Sequence, residues 1–150
     1  MKRQAGFNLI EMLVVMVIAA IMLGIGIPSF RNFTATQRVK SAAFDFTSAL
    51  LMARSEAIKR NAAVTVDPGS GGWGSGWTVN AAGNTLATQE PAAKVTISPN
   101  PDTTASIAFQ NNGRVPSTLR FQFGADNTDA VRCVTLSVSG LPHTTNTSCS

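Results

Sequence analysis

Gly6-Phe7-Asn8-Leu9-Ile10-Glu11-Met12 opens a run in which no charged or strongly polar side chain occurs from residue 12 to residue 27. Ahead of it stand only Met1-Lys2-Arg3-Gln4-Ala5, a short basic lead into a small, accessible glycine. Residues 7–30 have about the length of helix that crosses ~30 Å of hydrocarbon. Glu11 is the exception inside this span. A carboxylate at membrane depth is costly and rare, so it calls for a partner, and the natural one is a positive charge supplied by another molecule. The alternative is that Glu11 sits in the headgroup region.

A removable secretory signal would end in a small-x-small site after a 7–15-residue apolar core. Ala19-Ala20 and Gly24-Ile25-Gly26 imitate such a site, but the apolar run is long and carries an acid at its front. Lys2 and Arg3 precede the span while Arg31 and Arg38 follow it, so counting positive charges does not orient it. The short leader favours a cytoplasmic start with the bulk of the chain exported. Gly24, Gly26 and Pro28 interrupt the far end of the span, where a kink or a melted stretch is expected.

The junction resembles the processing site of type IV prepilins and type II secretion pseudopilins. The resemblance implies cleavage between Gly6 and Phe7 by a prepilin peptidase, methylation of the new amino terminus on Phe7, and a register-setting role for Glu11 as fifth residue of the mature chain. Asn8 stands where that family more often has threonine. The expected pairing is between Glu11 and the free amino group of a neighbouring subunit, a contact that would set axial register in a filament.

Beyond Arg31 the pattern turns amphipathic. Val39, Ala43, Phe46, Leu50, Ala53 and Ala57 recur at steps of four and three, one apolar face of a helix turned to a core. The small alanines favour close packing on a sheet over coiled-coil pairing. A helix from Phe7 to about Arg60 would be roughly 80 Å long at 1.5 Å per residue, longer than a small domain, so a stalk must protrude. Lys59 and Arg60 suit the negative end of the helix dipole, and Asn61 suits its cap. Ala53-Arg54-Ser55-Glu56-Ala57-Ile58-Lys59-Arg60-Asn61 is also similar to the helix end of the minor-pilin group containing FimT, FimU and GspH.

The remainder reads as strands, at 63–66, 77–80, 94–98, 107–109, 119–123 and 133–138. Asp67-Pro68-Gly69 is expected to end the first strand, and Ser70-Gly71-Gly72-Trp73-Gly74-Ser75-Gly76 to form a flexible loop. Further turns are expected at Pro99-Asn100-Pro101-Asp102, Asn111-Asn112-Gly113 and Gly124-Ala125-Asp126-Asn127. The glycines form no phosphate loop, because no Gly-Lys-Ser/Thr follows. Trp73 and Trp77 read as a hydrophobic plug between loop and sheet, with a ligand-stacking platform as the alternative. Trp73 with Gly76-Trp77, and Phe109-Gln110-Asn111-Asn112-Gly113-Arg114, again resemble the same minor-pilin group.

The expected fold is therefore α+β: one long amino-terminal helix, half transmembrane and half amphipathic, packed on a mostly antiparallel β-sheet head. The expected division is a leader (1–6), an assembly helix (7–30), the amphipathic helix of the head (31–61) and the β-sheet part of the head (62–150). In an exported chain the two cysteines, Cys133 and Cys149, suggest a disulfide, with reduced thiols as the alternative. Type IV pilins often carry a disulfide in this region, so the resemblance implies the same. Asn146-Thr147-Ser148 matches a glycosylation sequon, a short pattern that recurs by chance.

Catalysis is disfavoured. The chain has one histidine, His143, in a tail rich in Thr, Asn and Ser, and no tyrosine. No cluster with metal-ligand spacing is present, and no cofactor is implied. The formal charge of +4 includes Lys2 and Arg3, which the resemblance removes with the leader. Arg114, Arg120 and Arg132 form a candidate DNA-binding patch, since clustering matters more than total charge. DNA-binding FimT proteins carry a Gly-Arg-x-Arg motif, whereas this chain has Gly140-Leu141-Pro142-His143. The resemblance implies a minor pilin, most similar to FimU, inserted in the inner membrane with its head in the periplasm. The expected partners are other minor and major pilins or pseudopilins, the prepilin peptidase, an inner-membrane assembly platform and the lipid bilayer. A GspH-like pseudopilin of type II secretion and a FimT-like DNA receptor are the alternatives.

Overall fold

The structure, a computed structural model, describes residues 8–90, 92–100 and 105–149. Helix α1 (Leu9–Arg60) is 52 residues long, about 78 Å at 1.5 Å per residue. It is helical without interruption through Gly24, Gly26 and Pro28, so the expected melted stretch is absent from this protomer. One proline forfeits a single intrahelical donor, and the bonds of the neighbouring turns carry the helix across it. Asn61 closes the helix in the left-handed conformation, with φ 50° and ψ 38°. Its N–H reaches the Ile58 carbonyl at 3.2 Å and the Ala62 N–H reaches that of Ala57 at 3.2 Å, the paired bonds of a Schellman closure.

Eight strands follow: β1 (Val64–Gly69), β2 (Gly72–Ala81), β3 (Asn84–Gln89), β4 (Val95–Asn100), β5 (Ile107–Phe109), β6 (Leu119–Ala125), β7 (Arg132–Leu136) and β8 (Pro142–Thr145). They form two four-stranded antiparallel sheets, ordered β3-β2-β1-β5 and β4-β6-β7-β8. Val39, Ala43, Phe46, Leu50, Ala53 and Ala57 are all buried, which matches the helical periodicity read from the sequence.

Phe46 sits where the helix meets both sheets. Its ring centroid lies 5.5 Å from Trp73 and 5.1 Å from Trp77 of β2, both edge-on, and 4.8 Å from Phe121 and 5.5 Å from Phe123 of β6. Trp73 and Phe121 also meet edge-to-face at 5.1 Å, directly across the seam between the sheets. Such contacts add to the area buried by large rings. The tryptophans are therefore core, as the plug reading had it.

The glycine-rich stretch departs from expectation. Strand β1 continues through Asp67-Pro68-Gly69, and Gly72 pairs with Gly69 while Trp77 pairs with Pro68. The four residues between Gly72 and Trp77 are thus a wide bulge within β2 rather than a free loop. Gly72 and Gly76, both at φ 88°, let the chain leave the ladder and return, and the bulge tucks Trp73 inward. Strands β4 and β6 likewise run on into Pro99-Asn100 and Gly124-Ala125, where the sequence pattern predicts turns; Pro101 and Asp102 lie outside the described residues. The polar edge strands β3 and β8 have no counterpart in the sequence reading.

Cys133 and Cys149 are joined by a disulfide with Cα atoms 5.2 Å apart. The bond holds the end of the chain over the outer face of β6 and β7, where the Cys149 N–H donates to Gln122 Oε1 at 3.1 Å. Replacing both cysteines by serine should lower stability by about 3 kcal/mol, the entropic value for a loop of this length. Phe46→Ala should cost about 3–5 kcal/mol, whereas Phe44→Ala, two residues away and 71% exposed, should cost less than about 0.5 kcal/mol. Urea unfolding of the detergent-solubilised chain, followed by tryptophan fluorescence, measures all three.

Candidate functional site: an uncovered apolar stem and its junction with the head

Among the described side chains of α1, the first buried one is that of Ala35. Before it, residues 9–34 form a stem of about 39 Å whose described side chains are exposed, except for the half-buried Thr34. Its large apolar side chains are open, from 48% for Val14 to 81% for Leu9. Its most apolar window has a mean hydropathy of 2.7 and is 0% buried, and the helix is long and apolar enough to cross a membrane. Each such side chain gains about 1.5–3 kcal/mol when removed from water, so the stem is built to be covered by lipid or by other helices.

Glu11 lies in the first helical turn and is exposed. It is the only ionisable side chain among residues 8–30. Its backbone N–H donates to the Asn8 carbonyl at 3.0 Å, and no side-chain contact holds its carboxylate among the described residues. Gly6 and Phe7, the expected cleavage and methylation positions, lie outside the described residues.

The head grips the helix at two levels. At the base, Asn32, Thr36 and Thr128 form a polar cluster: Thr36 and Thr128 hydroxyls meet at 2.9 Å, and Asn32 Oδ1 accepts from Thr128 at 3.2 Å and from Thr36 at 3.4 Å. At the top, Asn111 Nδ2 donates to Asn61 Oδ1 at 3.1 Å. Near that end Glu56 accepts from Arg60 Nε at 2.7 Å and faces Lys59 Nζ at 3.5 Å. The Arg60 hydrogen bond holds the Glu56 carboxyl below its ordinary value, partial desolvation opposes it, and the charges of Lys59 and Arg60 add to the lowering. A depressed carboxyl pKa means this contact is intact above the ordinary carboxylate range and is lost as pH falls through the folded value.

The structure does not gather Arg114, Arg120 and Arg132 into one patch. Arg120 pairs with Thr135, and Arg132 pairs with the buried Phe123. Paired residues share a face and neighbours along a strand alternate, so Arg120 points to the outer face of its sheet while Arg132 stands on the opposite one. Arg114 follows Asn111 at the top of the head, whereas Arg132 follows Thr128 at the base. The helix positions that anchor these two loops, Asn61 and Thr36, are about 38 Å apart.

Gly140-Leu141-Pro142-His143 leads into β8, so His143 is a strand residue rather than part of a loop, exposed on the same outer face as Arg120. Gly140, at φ 76°, is packed so closely on Gly113 that an added Cβ would collide with the Gly113 carbonyl oxygen. This segment is therefore built for a close turn against the top of the helix. Among the described residues no group of three or more His, Cys, Asp or Glu converges.

Comparison with known proteins agrees with this architecture. The chain is similar in structure to the type IV minor pilin FimU of Pseudomonas aeruginosa (strain PAO1) in space group P21, with a TM-score of 0.63 and 24% sequence identity over 74% of this chain and 90% of that one. A second crystal form of FimU, in space group P65, gives a TM-score of 0.61 and 23% identity over 71% of this chain and 91% of that one. At these identities the likeness establishes the fold, a long helix packed on antiparallel sheets. No curated protein matches the chain in sequence. The family model for the prokaryotic N-terminal methylation motif matches residues 1–27, and the model for Type II transport protein GspH matches residues 42–140. An apolar stem under a methylation-type amino terminus and a head that matches over 42–140 lead to one conclusion: the chain belongs to the GspH family of pilin-like proteins.

Proposed function

We propose that this chain is a minor subunit of a type IV pilus, which joins or primes the fibre after its leader (residues 1–6) is cut from Phe7 and Phe7 is methylated. The observation that carries this reading is the stem: from residue 9 to residue 30, about six helical turns, its large apolar side chains are open and Glu11 is the only ionisable group among them. A lone carboxylate in hydrocarbon costs about 2.5–3.5 kcal/mol on insertion scales. Pairing with the processed amino group of a neighbouring subunit offsets that cost and fixes the axial position of each new subunit. The apolar stem supplies association without register, and Glu11 supplies register with little association.

In this reading residues 7–30 are the assembly helix, residues 31–61 the helix of the head and residues 62–150 its β-sheet part. The protein waits in the inner membrane with its head in the periplasm. Its partners are other minor and major pilins, the prepilin peptidase and an inner-membrane assembly platform. A second reading, a minor pseudopilin of type II secretion, is favoured by the GspH match over residues 42–140. Both use the same stem and differ in the machine that recruits it. The separation of Arg114 and Arg132 gives the DNA-receptor reading no support.

The intact mass of the membrane-extracted protein should correspond to loss of six residues and gain of one methyl group. A mass that fits cleavage near Ala20 or Gly26 overturns the reading in favour of a secreted soluble protein. Glu11→Ala should be processed normally yet enter fibres at least about tenfold less well, the loss expected for ~1.4 kcal/mol of register energy. Immunoblots of sheared fibres against membrane fractions measure it, and wild-type incorporation would remove the role given to Glu11.

A further inference from the structure

A cavity of about 480 Å³ opens at the base of the head, lined among others by Arg31, Thr34 and Arg38 of the helix and by Lys94, Asp126 and Asn127 of the sheet. Positions 31, 34 and 38 share one helix face. Lys94 directly precedes β4 and Asp126 directly follows β6, and Val95 pairs with Ala125, so the two loops reach the helix side by side. Four non-glycine residues among those described have a positive φ, and two of them, Lys94 at 63° and Asn127 at 63°, line this cavity. Backbone held in that region is costly and clusters at sites of function. Three cations thus converge on one space, and none of them forms an ion pair among the described residues.

Position decides what such a space can hold. Arg31 is the first charged residue after the apolar run that ends at Ile27, about 6 Å farther along the axis. The headgroup layer is roughly 5–8 Å thick on each side of the hydrocarbon. Arg38 lies about 10 Å higher, but side chains on a helix lean toward its amino terminus, here toward the membrane. We propose that this cavity binds the phosphate of an anionic phospholipid headgroup, with Arg31, Arg38 and Lys94 as its ligands, while the subunit waits in the membrane. The inference rests on the reading that the stem crosses the bilayer. Anionic headgroups attract basic clusters next to a span, and an arginine offers a phosphate two parallel donors. Asp126 is the opposing charge in the wall and weakens the site.

The test uses the full chain in nanodiscs of equal parts phosphatidylcholine and phosphatidylglycerol, with native mass spectrometry reading the lipid that stays bound on release. Wild type should retain phosphatidylglycerol over phosphatidylcholine by about tenfold or more. The triple variant Arg31→Gln, Arg38→Gln, Lys94→Gln should lose that preference, Asp126→Asn should increase it, and Arg120→Gln, on the outer face of the sheet, should leave it unchanged. Equal retention of both lipids by wild type, or an unaltered preference in the triple variant, overturns the proposal. So does tight binding of inorganic phosphate in discs of phosphatidylcholine alone, which would make the ligand a dissolved ion. A triple variant that keeps its lipid preference but no longer co-purifies with partner subunits assigns the cavity to an acidic protein contact instead. Wild type that fails to enter the discs defeats the membrane reading and this one together; entry without lipid preference defeats only this one.

Discussion

One aromatic ring holds the head to its helix. Phe46 is fully buried, and its neighbours come from two sheets that share no backbone ladder. Trp73 and Trp77 of β2 approach from one side, Phe121 and Phe123 of β6 from the other. Without a large side chain at this point the sheets would face a gap along their seam, and the interior of a domain this size tolerates few voids larger than a water molecule. Small residues above and below Phe46, namely Ala42, Ala43, Ala53 and Ala57, let the backbone of the helix come close to the strands. The stem then projects because the face that docks begins only at Ala35.

The helix and its docking face were legible because they are periodic. Six apolar positions at steps of four and three named the buried face, and the basic last turn with Asn61 named the end. Strands with a clear two-residue alternation, such as Leu119, Phe121 and Phe123, were legible for the same reason. Strands β3 and β8 were not. Each lies at the edge of its sheet and carries mostly Asn, Thr, Gln or His, so no apolar alternation marks it. A signal for β3 was present in Ala82-Gly83, at φ 49° and 79°, the two-residue turn that a tight hairpin demands. For β8 the proline at its first position is compatible with an edge strand but does not announce one.

The glycine-rich segment misled for a physical reason. Glycine content states that the backbone visits unusual dihedral angles; it does not state that the chain is free. Here Gly72 and Gly76 let four residues bulge and bring a tryptophan into the core, so the most glycine-rich part of the chain serves its largest aromatic contact. The arginines misled in the opposite way. Three cations in one half of a sequence resemble a patch, yet strand register sends Arg120 and Arg132 to opposite faces. Of the cations that do converge, Arg31 and Arg38 share one helix face two turns apart, and Lys94, more than fifty residues away in sequence, joins them only because the loop before β4 closes on the base of the helix.

Continuity of α1 ties these features into one device. The polar cluster at Thr36 and the Asn61–Asn111 contact hold the helix near the base and the top of the head, and Phe46 fixes its rotation between them. Since the helix is unbroken from Leu9, the head's direction is transmitted to Glu11, about 52 Å away along the axis. Thirty-five residue steps set both the height and the azimuth of the acid beneath the head, and adding one residue would turn the stem by about 100° while lengthening it by only about 1.5 Å. Height is therefore a forgiving variable and rotation an exacting one. In the assembly proposed above, where Glu11 faces the amino group of a neighbouring subunit, an unbroken helix ties the azimuth of that acid to the orientation of the head.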